Sequence, residues 1–297
     1  IHGTFSSTVG SFGALSATEG GRAFLGSAFV HYDAVIAFDH RTLSESPQEN
    51  AAAIMEALAG LSIAPESTVD MIGFSRGGLV TRVLVEKMLR KVGSPLTPRN
   101  AVFVGCTNGG TALANPENWK ALLDIFTNLS VAAGKGLSYL GAGTSGTIIS
   151  ESLKTLSGFV QAIVDTAITE EMVPGIAAMA PSSQLVSELN DPGRAADTAE
   201  ISYFALGSNF EPRLFNSDQR TALSKRLLGA LADFGVDTLM QQKNDLVVDI
   251  AAMTKFGVDT SRLKDKLFWD RNAIIYHTNY FAQNDVGELL SKWLIER

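Results

Sequence analysis

The sequence predicts an α/β protein, a mostly parallel sheet flanked by helices and interrupted by a helical insertion. Three observations predict it. The runs DAVIAFD (33–39), TVDMIGF (68–74) and NAVFVGC (100–106) are short, apolar and bounded by polar residues, as buried strands are. Stretches of helical period lie between them, the alternation that parallel strands need for their crossovers. The alternation stops near residue 115 and resumes at ISYFALG (201–207), which divides the chain into a core of 1–114 and 197–297 and an insertion of 115–196.

Each element has its own signal. Pro47 opens a helix whose stripe is Ala51, Ile54, Met55 and Leu58, and Gly60 ends it. TVDMIGF runs directly into Ser75. GGLVTRVLVEKML (77–89) is a helix with Val80, Leu84 and Met88 on one face and Leu79 and Val83 beside them. In the insertion, NWKALLDIFTNL is one helix and ESLKTLSGFVQAIVDTAI another, apolar over a wide arc through Leu153, Leu156, Phe159, Val160, Ile163 and Val164. An arc that wide must be covered, either permanently as a cap or as a lid over an apolar substrate. The Gly/Ser/Ala-rich stretch 132–147 can hinge without steric cost, which favours the lid. A helix over 218–234, a last strand AIIYH (273–277) and a closing helix VGELLSKWLIE complete the chain.

Composition narrows the function. At 297 residues and 45% hydrophobic content, the chain suits one large domain with an insertion. A net charge of −7 disfavours nucleic acid, and the longest basic cluster, KMLRK (87–91), ends a helix, where positive charge suits the dipole. Cys106 is the single cysteine, so no internal disulfide and no cysteine-based zinc site can form, and a reducing, cytoplasmic compartment is permitted. No apolar run approaches the roughly 18 residues of a membrane span, and no signal peptide is visible. The chain opens IHGTFSS without Met and reads as a processed chain or a fragment, with room for an upstream or fused domain.

The stretch MIGFSRGGLV (71–80) carries the chemistry. With 27 glycines in the chain, a Gly-x-Ser-x-Gly pattern could arise by chance, and Ser75 could be a small polar residue in a turn. Its context argues for a nucleophile. A strand ends and a helix begins at Ser75, and Gly73 and Gly77 leave room for the sharp turn that lifts a hydroxyl above a sheet. The Arg76 amide would then face a developing oxyanion at a helix N-terminus. A second donor comes from IHGTF, where the Thr4 amide, or that of Phe5, can point inward. His2 is an alternative base, though orienting that loop suits it better.

In strand–turn–helix hydrolases the nucleophile, acid and base follow in that chain order. His31 and His40 precede Ser75, whereas His277 follows the last expected strand and suits the base. For the acid, Asp245 sits in KNDLVVD, 32 residues before His277. Glu211 follows the strand at 201–207, and Asp249 and Asp237 are further candidates.

HGTF, GFSRGG, TNGGTALA, NDLVV and YHTNYF, in that order and over most of the chain, resemble the α/β-hydrolases of the bacterial lipase and esterase kind. TNGGTALA is similar to the loop that leads into the lid of those lipases. NDLVV is similar to their catalytic-acid loop, which implies Asp245 as the acid. HGTFSST and AFDHRTLS resemble an uncharacterised bacterial hydrolase group, sometimes fused to caspase-like protease modules. The chain departs from the pattern in two ways. The resemblance implies a first core strand cut just before Ile1, and no second acidic cluster near His277 matches the calcium site of some lipases. The resemblance implies a serine carboxylic ester hydrolase with a Ser75–His277–Asp245 triad and an oxyanion hole at Thr4 and Arg76. It implies no metal, no cofactor, and a small-molecule or lipid-like ester as substrate. An amidase or peptidase would use the same triad, and a non-catalytic interaction module would keep only the fold.

Overall fold

Among the described residues four parallel strands lie side by side in chain order: β1 (Ser67–Phe74), β2 (Leu96–Val104), β3 (Ser202–Phe210) and β4 (Leu263–Asn272). The computed structural model describes residues 1–89, 94, 96–127, 169–193, 201–211, 243–257 and 260–296. Its helices are α1 (Thr8–Phe12), α2 (Glu19–His31), α3 (Pro47–Ala59), α4 (Gly77–Val83), α5 (residues 119–127), α6 (Pro174–Ala177), α7 (Gln184–Leu189), α8 (Ile250–Met253) and α9 (Asn284–Leu294).

Strand alternation sorts the core into two layers. Ala101, Phe103 and Tyr203 face α3 and α4 through Ile54, Leu58, Leu79 and Val83. Val102, Val104, Phe204 and Leu206 face the other way, onto Phe24 of α2 and Leu290 and Trp293 of α9. Helices thus cover both faces, as the apolar runs of the central strands require. Local chemistry sets the helix starts. At α3 the Ser46 hydroxyl accepts from Glu49 N while the Glu49 carboxylate accepts from Ser46 N, a closed capping box just ahead of Pro47.

The runs at 68–74, 100–106 and 201–207 are strands, with β2 and β3 displaced by a few residues from those limits. Two expected strands are not. Residues 33–39 form no ladder, and Val35 and Ile36 are 51% and 59% exposed. The outer edge of β1 is met instead by Ile1, which donates to Ile72 O at 2.7 Å and accepts from Phe74 N at 3.0 Å. The final strand is Leu263–Asn272 rather than 273–277. As an edge strand it is half-solvated, so LKDKLFWDRN alternates charged and apolar residues where a central strand would be uniformly apolar. After it, Asn272 Oδ1 accepts from Ile274 N and Ile275 N and turns the chain out of the sheet. Helix α2 was not expected, because Gly20, Gly21 and Gly26 dilute its pattern.

The expected insertion of 115–196 is described at both ends, through α5 and through α6 and α7. The helix at 152–168, the small-residue stretch 132–147, the helix at 218–234 and Asp237 lie outside the described residues. Among the described residues no helix is long and apolar enough to cross a membrane.

Candidate active site

The turn from β1 into α4 places Ser75. Its backbone is left-handed, with φ +55°, a strained conformation for a residue with a side chain. The surroundings hold it there. Ser75 N donates to Val104 O at 3.0 Å, and Ser75 O accepts from Gly78 N at 3.0 Å. The flanking glycines are sterically required: a Cβ on Gly73 would lie 2.7 Å from Thr81 Oγ1, and one on Gly77 would meet Ile1 O.

A continuous hydrogen-bonded row starts at the Ser75 hydroxyl. Ser75 Oγ lies 2.8 Å from His277 Nε2, and His277 Nδ1 lies 2.8 Å from Asp245 Oδ2. An ionised carboxylate can only accept, so Nδ1 donates to it, and in a neutral ring that leaves Nε2 to accept from Ser75. All three residues are buried, at 2%, 0% and 0% exposure for Ser75, Asp245 and His277. The Asp245 loop is built for an anion. Oδ1 accepts from Val247 N at 3.1 Å and Val248 N at 2.8 Å, and a turn through Leu246 at φ +83° aims those amides. His277 N donates to Asp245 O at 3.0 Å, which fixes one chain segment against the other.

On the other side of Ser75 runs the loop from His2 to Phe5. His2 does not reach Ser75; it orients this loop. Its Nδ1 donates to Gly3 O at 3.0 Å and its Nε2 accepts from His40 N at 3.2 Å. The two rings stack at 4.0 Å. Burial lowers the pKa of both, that of His40 to about 3, so both are neutral. Phe5 has φ +56° and its amide is taken by Thr42 Oγ1 at 3.3 Å. That leaves Thr4: among the described residues, neither its amide nor that of Arg76 donates to a protein acceptor.

The side chain of Arg76 adds a part that the spacing of motifs did not foretell. It is fully buried, and its guanidinium reaches Gly175 O at 2.9 Å, Asn50 Oδ1 at 2.8 Å and Glu45 O at 2.5 Å. The residue beside Ser75 thereby ties the segment before α3 to α6. Phe126 of α5 stands edge-on to His277, with centroids 5.8 Å apart, and 5.2 Å from Phe5. Thr4 Oγ1 reaches Met179 Sδ at 3.6 Å. These apolar groups come from the ends of the insertion.

The remaining candidates point elsewhere. Glu211 accepts from Asn209 Nδ2 at 3.1 Å and lies 3.5 Å from Arg271 Nε. Asp249 is half-buried beside Asp245, and burial followed by the neighbouring charge raises its pKa. Among the described residues no group of three or more His, Cys, Asp or Glu could hold a metal.

The family model described as Domain of unknown function (DUF7379) matches residues 1–295. No curated protein matches the chain.

Proposed function

We propose that this chain, which belongs to the DUF7379 family, is a serine hydrolase of the α/β-hydrolase fold that cleaves carboxylic esters through an acyl-enzyme. One observation carries the reading: the unbroken row Ser75 Oγ–His277 Nε2–His277 Nδ1–Asp245 Oδ2, with 2.8 Å at each hydrogen bond, on a strained strand-to-helix turn. Ser75 Oγ attacks the ester carbonyl as its proton passes to His277 Nε2. The imidazolium then gives that proton to the departing alkoxide. Water, deprotonated by the same nitrogen, cleaves the acyl-enzyme and returns the serine. Asp245 holds the ring in the required tautomer and offsets its positive charge. The unspent amides of Thr4 and Arg76 receive the tetrahedral oxyanion.

The described ends of the insertion, α5 and the segment of 169–193, stand beside this row. Phe126 and Met179, from these two ends, meet His277 and Thr4, which fits an apolar acyl group in a small-molecule or lipid-like ester. The chemistry calls on no cofactor.

The test is labelling with a fluorophosphonate and turnover of p-nitrophenyl esters of increasing chain length. Wild type should label at Ser75, and Ser75→Ala should lose label and about 10³-fold or more of ester turnover while staying folded. Near-normal turnover by the Ala variant refutes the proposal. Amide analogues assayed beside the esters separate an esterase from an amidase, which would use the same row.

A further inference from the structure

We propose that Tyr280 is a positioning residue of this site, whose hydroxyl donates to the Asp245 oxygen that faces His277 and holds the buried carboxylate aimed at that ring. The inference rests on the serine-hydrolase reading above and adds a fourth side chain to it. Tyr280 Oη lies 2.8 Å from Asp245 Oδ2, the same oxygen that accepts from His277 Nδ1. An ionised carboxylate has no proton to give, so the phenol is the donor. Tyr280 is itself fully buried. Burial first, then the Asp245 charge, push its pKa well above the usual value, so the proton stays on the phenol at any working pH.

The site needs such a donor. Asp245 has no solvent contact, and a buried carboxylate left short of donors takes up a proton. Its Oδ1 has two backbone amides. Its Oδ2 would face only His277, the group whose charge changes during the reaction, were Tyr280 absent. With Tyr280 in place Oδ2 keeps a permanent donor through the whole cycle.

The surroundings are shaped to admit the ring. Gly105, just after β2, has φ +53°, and a Cβ there would lie 2.7 Å from Tyr280 Cε2 and 3.1 Å from Asp245 Oδ2. Tyr280 also follows His277 by three residues, in a turn where Asn279 N donates to Tyr276 O at 3.1 Å. One short segment therefore brings both donors to the same oxygen.

The sign of the effect follows. Without the phenol O–H, negative charge on Asp245 is less stabilised. Whichever of Asp245 and His277 holds it, the pair then takes up a proton at higher pH. Activity requires the unprotonated pair, so its acidic limb moves up. The other titratable groups facing Asp245 and Tyr280 are Asp249, on the same loop, and Cys106, after β2. Both are unchanged in the variants below and drop out of the difference.

The experiment measures the rate of fluorophosphonate labelling of Ser75, and ester kcat/KM, across pH for wild type and Tyr280→Phe. The expected result is an acidic limb raised by about half a pH unit or more, with a plateau lowered by about tenfold or less. Superimposable profiles, in a folded variant labelled at Ser75, overturn the inference and leave Tyr280 as packing alone. If wild type itself fails to label at Ser75, the hydrolase reading beneath falls first, so the two failures are distinct. Should Tyr280→Phe not fold, 3-fluorotyrosine placed at position 280 keeps the ring and strengthens the donor. Its acidic limb should move down, and an unmoved limb overturns the inference.

Discussion

Replacing Asp245 with asparagine tests the row at its most constrained point. The new amide has two orientations, and the backbone chooses between them. Oδ1 of Asp245 accepts from two N–H groups, Val247 at 3.1 Å and Val248 at 2.8 Å. Turning an NH₂ toward them would set donors against donors and strand two buried amides, at about 1–3 kcal/mol each. The asparagine oxygen therefore stays with Val247 and Val248, and its NH₂ faces His277 and Tyr280. It then donates to His277 Nδ1, which forces the ring proton onto Nε2, toward Ser75. In that tautomer the ring cannot take the serine proton. The expected loss is about 10⁴-fold in kcat, the size associated with holding the base in the wrong tautomer, or about 5 kcal/mol of barrier. Stability should fall far less, by about 1–2 kcal/mol, because the shape is kept and only the charge assistance to the hydrogen bonds is lost. Kinetics on a short-chain p-nitrophenyl ester, beside urea denaturation of the same sample, separates the two quantities. A folded Asp245→Asn protein within tenfold of wild-type kcat would refute the tautomer argument and with it the place of Asp245 in the row.

Two further outcomes follow from groups around the row. Phe126 is 5% exposed and edge-on to His277, so Phe126→Ala should shift the ester preference toward longer or branched acyl chains by about tenfold, at about 3 kcal/mol of stability; an unchanged chain-length profile in the folded variant would make Phe126 core and nothing more. His40 has its pKa held at about 3 by burial first, then by His2 and Arg76, against an unfolded value near 6.5. The unfolded chain binds the extra proton between those values, so this histidine's contribution is complete above about pH 6.5 and is lost as pH falls toward 3. Urea midpoints at pH 7 and 4.5 should therefore fall further for wild type than for His40→Phe, and equal falls would show that His40 does not titrate in the unfolding reaction.

What the sequence by itself determined is the set of features written in neighbouring residues. The α3 helix start is legible because Ser46, Pro47 and Glu49 act on each other within one turn. The position of Ser75 is legible because a strand, two glycines and a helix follow one another between Ser67 and Val83. Chain order points to Ser75 and His277 but leaves Glu211, Asp249 and Asp237 beside Asp245, which only the resemblance of NDLVV favours; the structure sets Ser75 Oγ and Asp245 Oδ2 each 2.8 Å from His277. Tertiary structure decided what depends on partners far away in the chain. DAVIAFD has the composition of a buried strand, yet Ile1 occupies the β1 edge and Val35 and Ile36 face solvent. LKDKLFWDRN is charged at alternate positions and still pairs, because β3 offers it an edge along Tyr203–Phe210. The sequence favours the Thr4 amide and leaves that of the adjacent Phe5 as an alternative until Thr42, 37 residues from Phe5, takes the latter. Arg76 and Tyr280 stand inside GFSRGG and YHTNYF, yet neither motif gives their side chains a role, which exists only because Gly175 and Asp245 are folded against them. Hydrophobic period and turn chemistry act over a few residues and survive in the sequence, whereas strand pairing and the satisfaction of buried polar groups are settled only when distant segments meet.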